Sequence, residues 1–527
     1  METQILTSVL LVIFFALMIA VGLYCRKHST NVDGFVLGGR SVGPWLTAFA
    51  YGTSYFSAVI FVGYAGQFGW AFGMASTWIG LGNAFIGSLL AWVVLGRRTR
   101  VMTQHLESKT MPEFFEKRYN SRALKIVASV IVFVFLIPYT ASLYNGLSSL
   151  FEIAFDAPYW AVIVIMAVLT GVYVIFGGYM ATAINDFIQG IIMLVGIIAV
   201  IAAVLNSHGG FSEAYNALAA IPHDTMNGAF ASFLGPNPIF LFFVVMLTSL
   251  GTWGLPQMVG KFYSIKNEEA INKGTIISTA FAVIVAGGCY FLGGFGRLLD
   301  SATIASITTE SGKLLNDKIV PSMLANLSPV IIAIVIVLVL SASMSTLSSL
   351  VLTSSSTLTL DVIVPAAKKE VSEKKKIFTL RLFIVFFIVV SALIAIVKDM
   401  FPGFTFIAQM MGVSWGALAG AFLAPFLYGL YWKKTTKAAV LTSFIFGVGI
   451  ETVQLFKDFG LISISGGPLG FVFTNSLYSG VFAMVGGLIL VPLVSLVTPK
   501  QNTTNVDAMF ECYQKDVTVK STESLGK

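Results

Sequence analysis

Ala48-Phe49-Ala50-Tyr51-Gly52-Thr53-Ser54-Tyr55-Phe56-Ser57-Ala58 lies in the middle of an apolar run over 43–71. It is small, polar and glycine-containing where a membrane helix should be uniformly oily. A second stretch, Thr248-Ser249-Leu250-Gly251-Thr252-Trp253-Gly254-Leu255-Pro256-Gln257, interrupts the run over 236–258 with two glycines and a proline within six residues. In hydrocarbon every backbone N–H and C=O needs a partner, so a broken helix is tolerated only where it lines a protein-enclosed cavity. Small-residue helix packing with a proline kink would account for either stretch alone. The two breaks lie five apolar segments apart. That matched spacing points to two halves of inverted topology, each opened by an interrupted helix.

The surrounding sequence fits a bilayer. Of 527 residues, 56% are hydrophobic and 11% charged, against about 25% charged in soluble domains. Apolar runs of about 20 residues mark spanning helices. Thirteen occur, over 5–24, 43–71, 74–96, 126–152, 158–180, 184–205, 236–258, 274–297, 325–361, 378–397, 402–431, 437–456 and 473–497; they are numbered here as segments 1 to 13. With the N-terminus outside, every Lys and Arg except Arg297, Lys313, Lys318, Lys398 and Lys457 falls on the cytoplasmic side, as basic residues do in membrane proteins. The net charge of +7 is therefore the mark of a cytoplasmic face and not of a nucleic-acid surface. The first segment lacks a basic leader and runs into Cys25-Arg26-Lys27, so it reads as a retained span and not a cleaved signal. The expected architecture is an all-α polytopic membrane protein with thirteen transmembrane helices. A single transmembrane domain covers 1–498, with a disordered cytoplasmic tail over 499–527. In the longest cytoplasmic loop, Thr110-Met111-Pro112-Glu113-Phe114-Phe115 reads as a short helix start. Cys25, Cys289 and Cys512 are far apart, and the four histidines have no metal-ligand spacing.

Segment 9 carries the chemistry. From 341 to 359, twelve of nineteen residues are Ser or Thr. A single helical serine usually bonds back to its own turn. Ser345, Ser348 and Ser349, however, share one face at i, i+3 and i+4, with Thr346 adjacent. Hydroxyls and freed carbonyls are hard, uncharged oxygen donors, suited to a monovalent cation that must bind and leave; a carboxylate cage favours divalent ions. Asp186, near the inner end of segment 6, is the one acid that joins this set, and an intramembrane acid is a functional candidate by default. An exposed interfacial aspartate is the alternative for Asp186, and interfacial positions are the reading for Glu152 and Glu451.

Phe35-Val36-Leu37-Gly38-Gly39-Arg40-Ser41-Val42-Gly43-Pro44-Trp45, Phe176-Gly177-Gly178-Tyr179-Met180-Ala181 running to Asp186, and Met344-Ser345-Thr346-Leu347-Ser348 together resemble the sodium:solute symporter family over 5–495. The resemblance implies two inverted five-helix repeats, segments 2–6 and 7–11, with segments 1, 12 and 13 added. It implies a main sodium site from the carbonyls of Thr53, Phe56 and Ala342 and the hydroxyls of Ser345 and Thr346. A second sodium, held in some members, matches Asp186, Ser345, Ser348 and Ser349. Arg40 and Pro256 belong to the family and gating motifs.

The departures bear on the solute. Proline transporters of the family carry an aspartate where Tyr55 stands. Sugar transporters carry Trp-Gly-x-Asn-Gln-Tyr where this chain has Trp253-Gly254-Leu255-Pro256-Gln257-Met258. Sialic acid members use an arginine where Tyr139 stands. The implied function is sodium-coupled symport by alternating access, importing proline or a carboxylate such as pantothenate. The solute pocket would be lined by Tyr55, Ser57, Tyr139, Thr252, Trp253 and Gln409. A sodium/sugar or sialic acid symporter, or a proton-coupled transporter of the same fold, is the alternative. A channel would need a continuous polar pore and an enzyme a catalytic constellation, and neither is seen. The expected setting is the cell membrane, with sodium ions, lipid and a small solute as partners, no nucleic acid, and a monomer as the working unit.

Overall fold

The computed structural model describes residues 2–514 apart from 156–157, 225, 311, 326, 368–369 and 400–406; side-chain surroundings are further restricted to exclude 2–4, 28, 145–155, 398–399 and 407–410. Among the described residues all regular structure is helical, with two isolated β-bridges and no strand. Ten helices are long and apolar enough to cross a bilayer, or eleven with the bent pair Pro238–Gly254 and Pro256–Ser264, which meet at 48°. A hydrocarbon core about 30 Å thick takes about 20 helical residues. Val59–His105 and Tyr159–Ser207, at 47 and 49 residues, are each too long for one pass. Each contains a glycine at positive φ, Gly73 at 60° and Gly178 at 57°. Only glycine fits at Gly178, because a Cβ there would stand 2.7 Å from the Phe35 carbonyl oxygen.

Which helices are central follows from what they bury. In its most apolar window, Pro329–Ala366 is 78% buried and Ile5–Cys25 only 22%. The hydroxyl-rich helix is thus the hub, and the N-terminal helix offers Val9, Val12 and Ile13 outward, as a lipid-facing helix does. The Pro329–Thr357 helix packs on Tyr159–Ser207, on Arg122–Phe155 and on Pro44–Tyr55.

Both breaks in the sequence are breaks in the chain. Pro44–Tyr55 ends at Phe56, which is extended (φ −89°, ψ 117°). Pro238–Leu250 tightens to a 3₁₀ turn over Gly251–Gly254, and Leu255 is extended (φ −85°, ψ 118°). Proline has no N–H and its ring clashes with the preceding turn, so Pro256 starts a new helix, its favoured position. Gly254 lets this break press against the Ile407–Tyr431 helix, since a Cβ would stand 2.8 Å from Ala419 Cα.

The loop helix forms where its capping signal placed it, over Met111–Tyr119. Thr110 Oγ1 accepts from Glu113 N at 3.1 Å, and Glu113 Oε2 accepts from Lys109 N at 2.7 Å. The tail departs from the disordered reading. Residues Thr503–Phe510 form a helix that continues as a turn to Gln514. Lys433 pairs with Asp507 at 2.6 Å, Tyr513 donates to the Leu430 carbonyl at 3.0 Å, and the Arg98 guanidinium lies against the Tyr431 and Tyr513 rings.

Candidate ion and solute site

The break after Tyr55 frees backbone oxygens. Ile60 N, which a continuous helix would direct to the Phe56 carbonyl, donates to Ser57 instead. The carbonyls of Thr53 and Phe56 turn to the hydroxyl-rich helix. Ser345 Oγ donates to the Thr53 carbonyl at 3.2 Å, and Thr346 Oγ1 lies 3.2 Å from Thr53 O and 3.3 Å from Phe56 O. Both hydroxyls also lie 3.1 Å from the Ala342 carbonyl. That last contact is ordinary back-bonding within a turn. The contacts to Thr53 and Phe56 are not, since they join residues about 290 positions apart. The five atoms named for the main ion site therefore converge, and all five residues are buried.

One turn along, the second group is arranged differently. Ser348 Oγ donates back to the Ser345 carbonyl at 2.9 Å. Ser349 Oγ pairs with Ser54 Oγ at 2.7 Å and accepts from Lys261 Nζ at 2.9 Å. Lys261 Nζ is also 3.5 Å from Asp186 Oδ2, with both side chains buried. The sequence reading counted Lys261 among the cytoplasmic loop cations. It lies within the Pro256–Ser264 half-helix and points into the bundle. Asp186 is fully buried, which excludes the interfacial alternative. Glu451 is also fully buried, contrary to the interfacial reading. Gly416 leaves room for its carboxylate, and Ser479 Oγ donates to it at 2.9 Å.

On the other side of the Phe56–Ser57 break is an aromatic cluster. Trp415 stacks on Tyr55 and meets Tyr139 edge-on, with both centroid distances 5.9 Å. Tyr55 donates to the Thr248 carbonyl at 2.7 Å, tying one broken helix to the other. The Tyr139 hydroxyl lies beside Ser57 and the Trp415 indole. Yet the polar atoms of Ser57, Tyr139 and Trp415 form no hydrogen bond of good geometry. A buried polar atom without a partner is costly, so such a cluster is a place for a polar ligand. Thr252 and Trp253 stand nearby, but their polar groups are committed elsewhere. Trp253 Nε1 donates to the Ile86 carbonyl at 3.0 Å, and Thr252 Oγ1 faces the Ser249 and Gly87 carbonyls. The side chain of Gln409 lies outside the described residues. A cavity runs from the loop residues Lys109 and Met111 past Tyr179 to Gln257, Lys261 and Ser349.

A model of the sodium:solute symporter family matches residues 35–447. The chain belongs to that family. The osmoregulated proline transporter OpuE of Bacillus subtilis (strain 168) is 28% identical over 473 residues, covering 88% of this chain and 91% of its own. The sodium/proline symporter of Staphylococcus aureus (strain bovine RF122 / ET3-1) is 28% identical over 458 residues, covering 85% and 86%. Among solved structures, a Na+-coupled sialic acid symporter in a substrate-bound outward-open state shares the fold with a TM-score of 0.75 at 17% identity, covering 94% of this chain and 99% of that one. A nucleobase-cation-symport-1 family transporter in a closed conformation gives 0.51 at 14% identity, covering 91% and 98%.

In this symporter the opening motif staples the loop that follows Val59–His105 to the second broken helix. Arg40 donates to the Ser108 carbonyl at 2.6 Å, to the Thr103 carbonyl and hydroxyl at 3.3 Å, and to the Tyr263 carbonyl at 3.2 Å. Burial lowers its pKa, and the nearby acids Asp33, Glu113 and Glu107 oppose that shift. Val42 pairs backbone to backbone with the far end of the second broken helix, through Ser264 O and Lys266 N. Sequence reasoning missed Lys261, Trp415 and Gln257. Lys261 is flanked by Val259 and Phe262 inside an apolar half-helix, with loop-type residues only from Lys266-Asn267 onward; that flanking was the available signal. Trp415 lies between Gly412 and Gly416, a pattern that marks close approach of a neighbouring helix.

Proposed function

We propose that this symporter imports a small amino acid or carboxylate with sodium by alternating access, proline being the first candidate. The observation that carries the sodium reading is the meeting of the Thr53 and Phe56 carbonyls with the Ser345 and Thr346 hydroxyls. Oxygens 3.1–3.3 Å apart are spaced as neighbours in a coordination shell of about 2.4 Å radius, the distance at which calcium is held and close to sodium's by ionic size. With one carbonyl-and-hydroxyl set and no carboxylate among the five, the site suits a singly charged ion. A sodium there would bridge the broken helix to the hub and fix the Tyr55–Ser57 corner that faces the aromatic cluster. Ion binding thereby completes the solute pocket.

The two proline-transporter relatives support the solute assignment. Tyr55, which replaces the aspartate of the family's proline branch, closes one wall of the pocket by bonding to Thr248. Ser57, Tyr139 and Trp415 supply the unsatisfied polar atoms. Dividing the two over-long helices at Gly73 and Gly178, and counting the bent pair as one, gives thirteen crossings, ten of which would form two inverted five-helix repeats. We assign the N-terminus to the outside, the protein to the cell membrane, and the cavity past Lys109 to the cytoplasmic face. Inward movement of each sodium gains about 2.3 kcal/mol per 100 mV of membrane potential.

Uptake by reconstituted liposomes tests the proposal. Radiolabelled proline, pantothenate, glucose and sialic acid are presented with an inward sodium gradient or an inward proton gradient at equal sodium. Proline accumulation under the sodium gradient is expected. Accumulation under the proton gradient alone would overturn sodium coupling, and accumulation of glucose or sialic acid in place of proline would overturn the solute.

A further inference from the structure

We propose that the Lys261 ammonium is a built-in cation that occupies the second ion position, so that this symporter binds a single sodium. The inference rests on the sodium reading above and fixes its stoichiometry. Three helical elements meet at the ammonium, and a fourth is joined to it through the Ser54–Ser349 hydrogen bond. Asp186 comes from Tyr159–Ser207, Ser349 from Pro329–Thr357, Ser54 from Pro44–Tyr55, and Lys261 from Pro256–Ser264. Nζ lies 2.9 Å from Ser349 Oγ, 3.5 Å from Asp186 Oδ2 and 5.4 Å from the Tyr179 ring centre. A hydroxyl oxygen, a carboxylate and a ring face are partners for any compact monovalent cation, sodium or ammonium. Ser348 Oγ is turned back to its own helix. The residues matched to a second sodium thus already hold one positive charge, and a sodium added beside it would face strong like-charge repulsion in a low-dielectric interior.

The tethered cation differs from an ion in one respect: it cannot leave. Ser349 is one turn from Ser345, and Ser54 adjoins Thr53, so the lysine sits immediately beside the proposed main ion site. It holds the Pro256–Ser264 half of the second broken helix against the Pro329–Thr357 and Tyr159–Ser207 helices. Asp186 Oδ1 has no partner, so the aspartate depends on Lys261 for its counter-charge. Taking away one member of a buried pair leaves an uncompensated charge. In Lys261→Gln that charge belongs to Asp186, and a second sodium becomes its natural partner. In the double variant Lys261→Gln/Asp186→Asn the charge is gone and so is the reason for a second ion.

Counting bound ²²Na+ on the purified full-length protein, without any solute, tests this directly. One sodium per chain with hyperbolic dependence is expected for the wild type. Two per chain are expected for Lys261→Gln, with a second step in the binding curve, and one for the double variant. Two sodium ions on the wild type would overturn the proposal, as would a folded Lys261→Gln that still binds one. If Lys261→Gln does not fold, the wild-type count decides, and the double variant must match it. No sodium on the wild type would instead overturn the symport reading itself, so the two failures are distinguishable.

Discussion

Thr346 carries more of the proposed ion site than any other side chain, because its single oxygen lies within 3.3 Å of three carbonyls. Thr346→Val keeps the shape and removes that oxygen. It should raise the sodium concentration for half-maximal uptake at least tenfold, about 1.4 kcal/mol, with the solute KM at saturating sodium changed less than twofold. Ser57→Ala should give the reverse pattern, a raised solute KM with little change in sodium dependence. Uptake titrated in both substrates checks the pair, and a common effect on both constants would dissolve the division between ion and solute groups. Ser345 stands out in the sequence because helical spacing puts it on one face with Ser348 and Ser349, with Thr346 adjacent, and because freed carbonyls and hydroxyls are a recognisable donor set. Lys261 was not legible. A lysine beyond a proline break reads as loop charge until the half-helix that holds it is seen, and its partners Asp186 and Ser349 are 75 and 88 residues away.

At the scale of the element, breaks decide the architecture. The break at Leu255-Pro256 was legible from proline chemistry, and the one at Phe56-Ser57 from the run of small and polar residues at mid-depth. The turns that divide the longest helices lie where the apolar runs already separate, between 71 and 74 and near 180, and the structure adds their geometry. At Gly178 the φ of 57° and the contact with Phe35 show how closely the two helices meet. Gly178→Ala forces an L-residue to φ 57° and ψ −147°, a backbone that essentially only glycine adopts, costing about 1–3 kcal/mol, and adds a Cβ against the Phe35 carbonyl. The apparent unfolding temperature in detergent should fall by several degrees, and an unchanged value would show that the two helices do not depend on this turn.

For the whole molecule, the apolar runs read correctly as a many-spanned helical bundle, because the bilayer imposes a length that needs no tertiary knowledge. The described part of the tail, to Gln514, is helical where its composition reads as disordered. Its polar composition hid Val506, Met509, Phe510 and Tyr513 at i, i+3, i+4 and i+7, a helical stripe that docks beside Arg98, Leu430 and Lys433. Truncation after residue 502 should lower thermal stability modestly and leave the bound-sodium count unchanged. Loss of sodium binding in the truncated protein would place the tail in the transport machinery instead.

The span of chain between the two walls of the ion site bears on how this protein is made. Thr53 leaves the ribosome 292 residues before Ser345. At about 5–20 residues per second, that interval is about 15–60 s. Throughout it the freed carbonyls of Thr53 and Phe56 have no hydroxyl helix to face, yet they already belong to a segment destined for the membrane. Water or the insertion machinery must satisfy them in the meantime. The first half of the chain is therefore a polar, vulnerable intermediate during biogenesis, and premature termination before residue 345 leaves a product that quality control has good reason to remove.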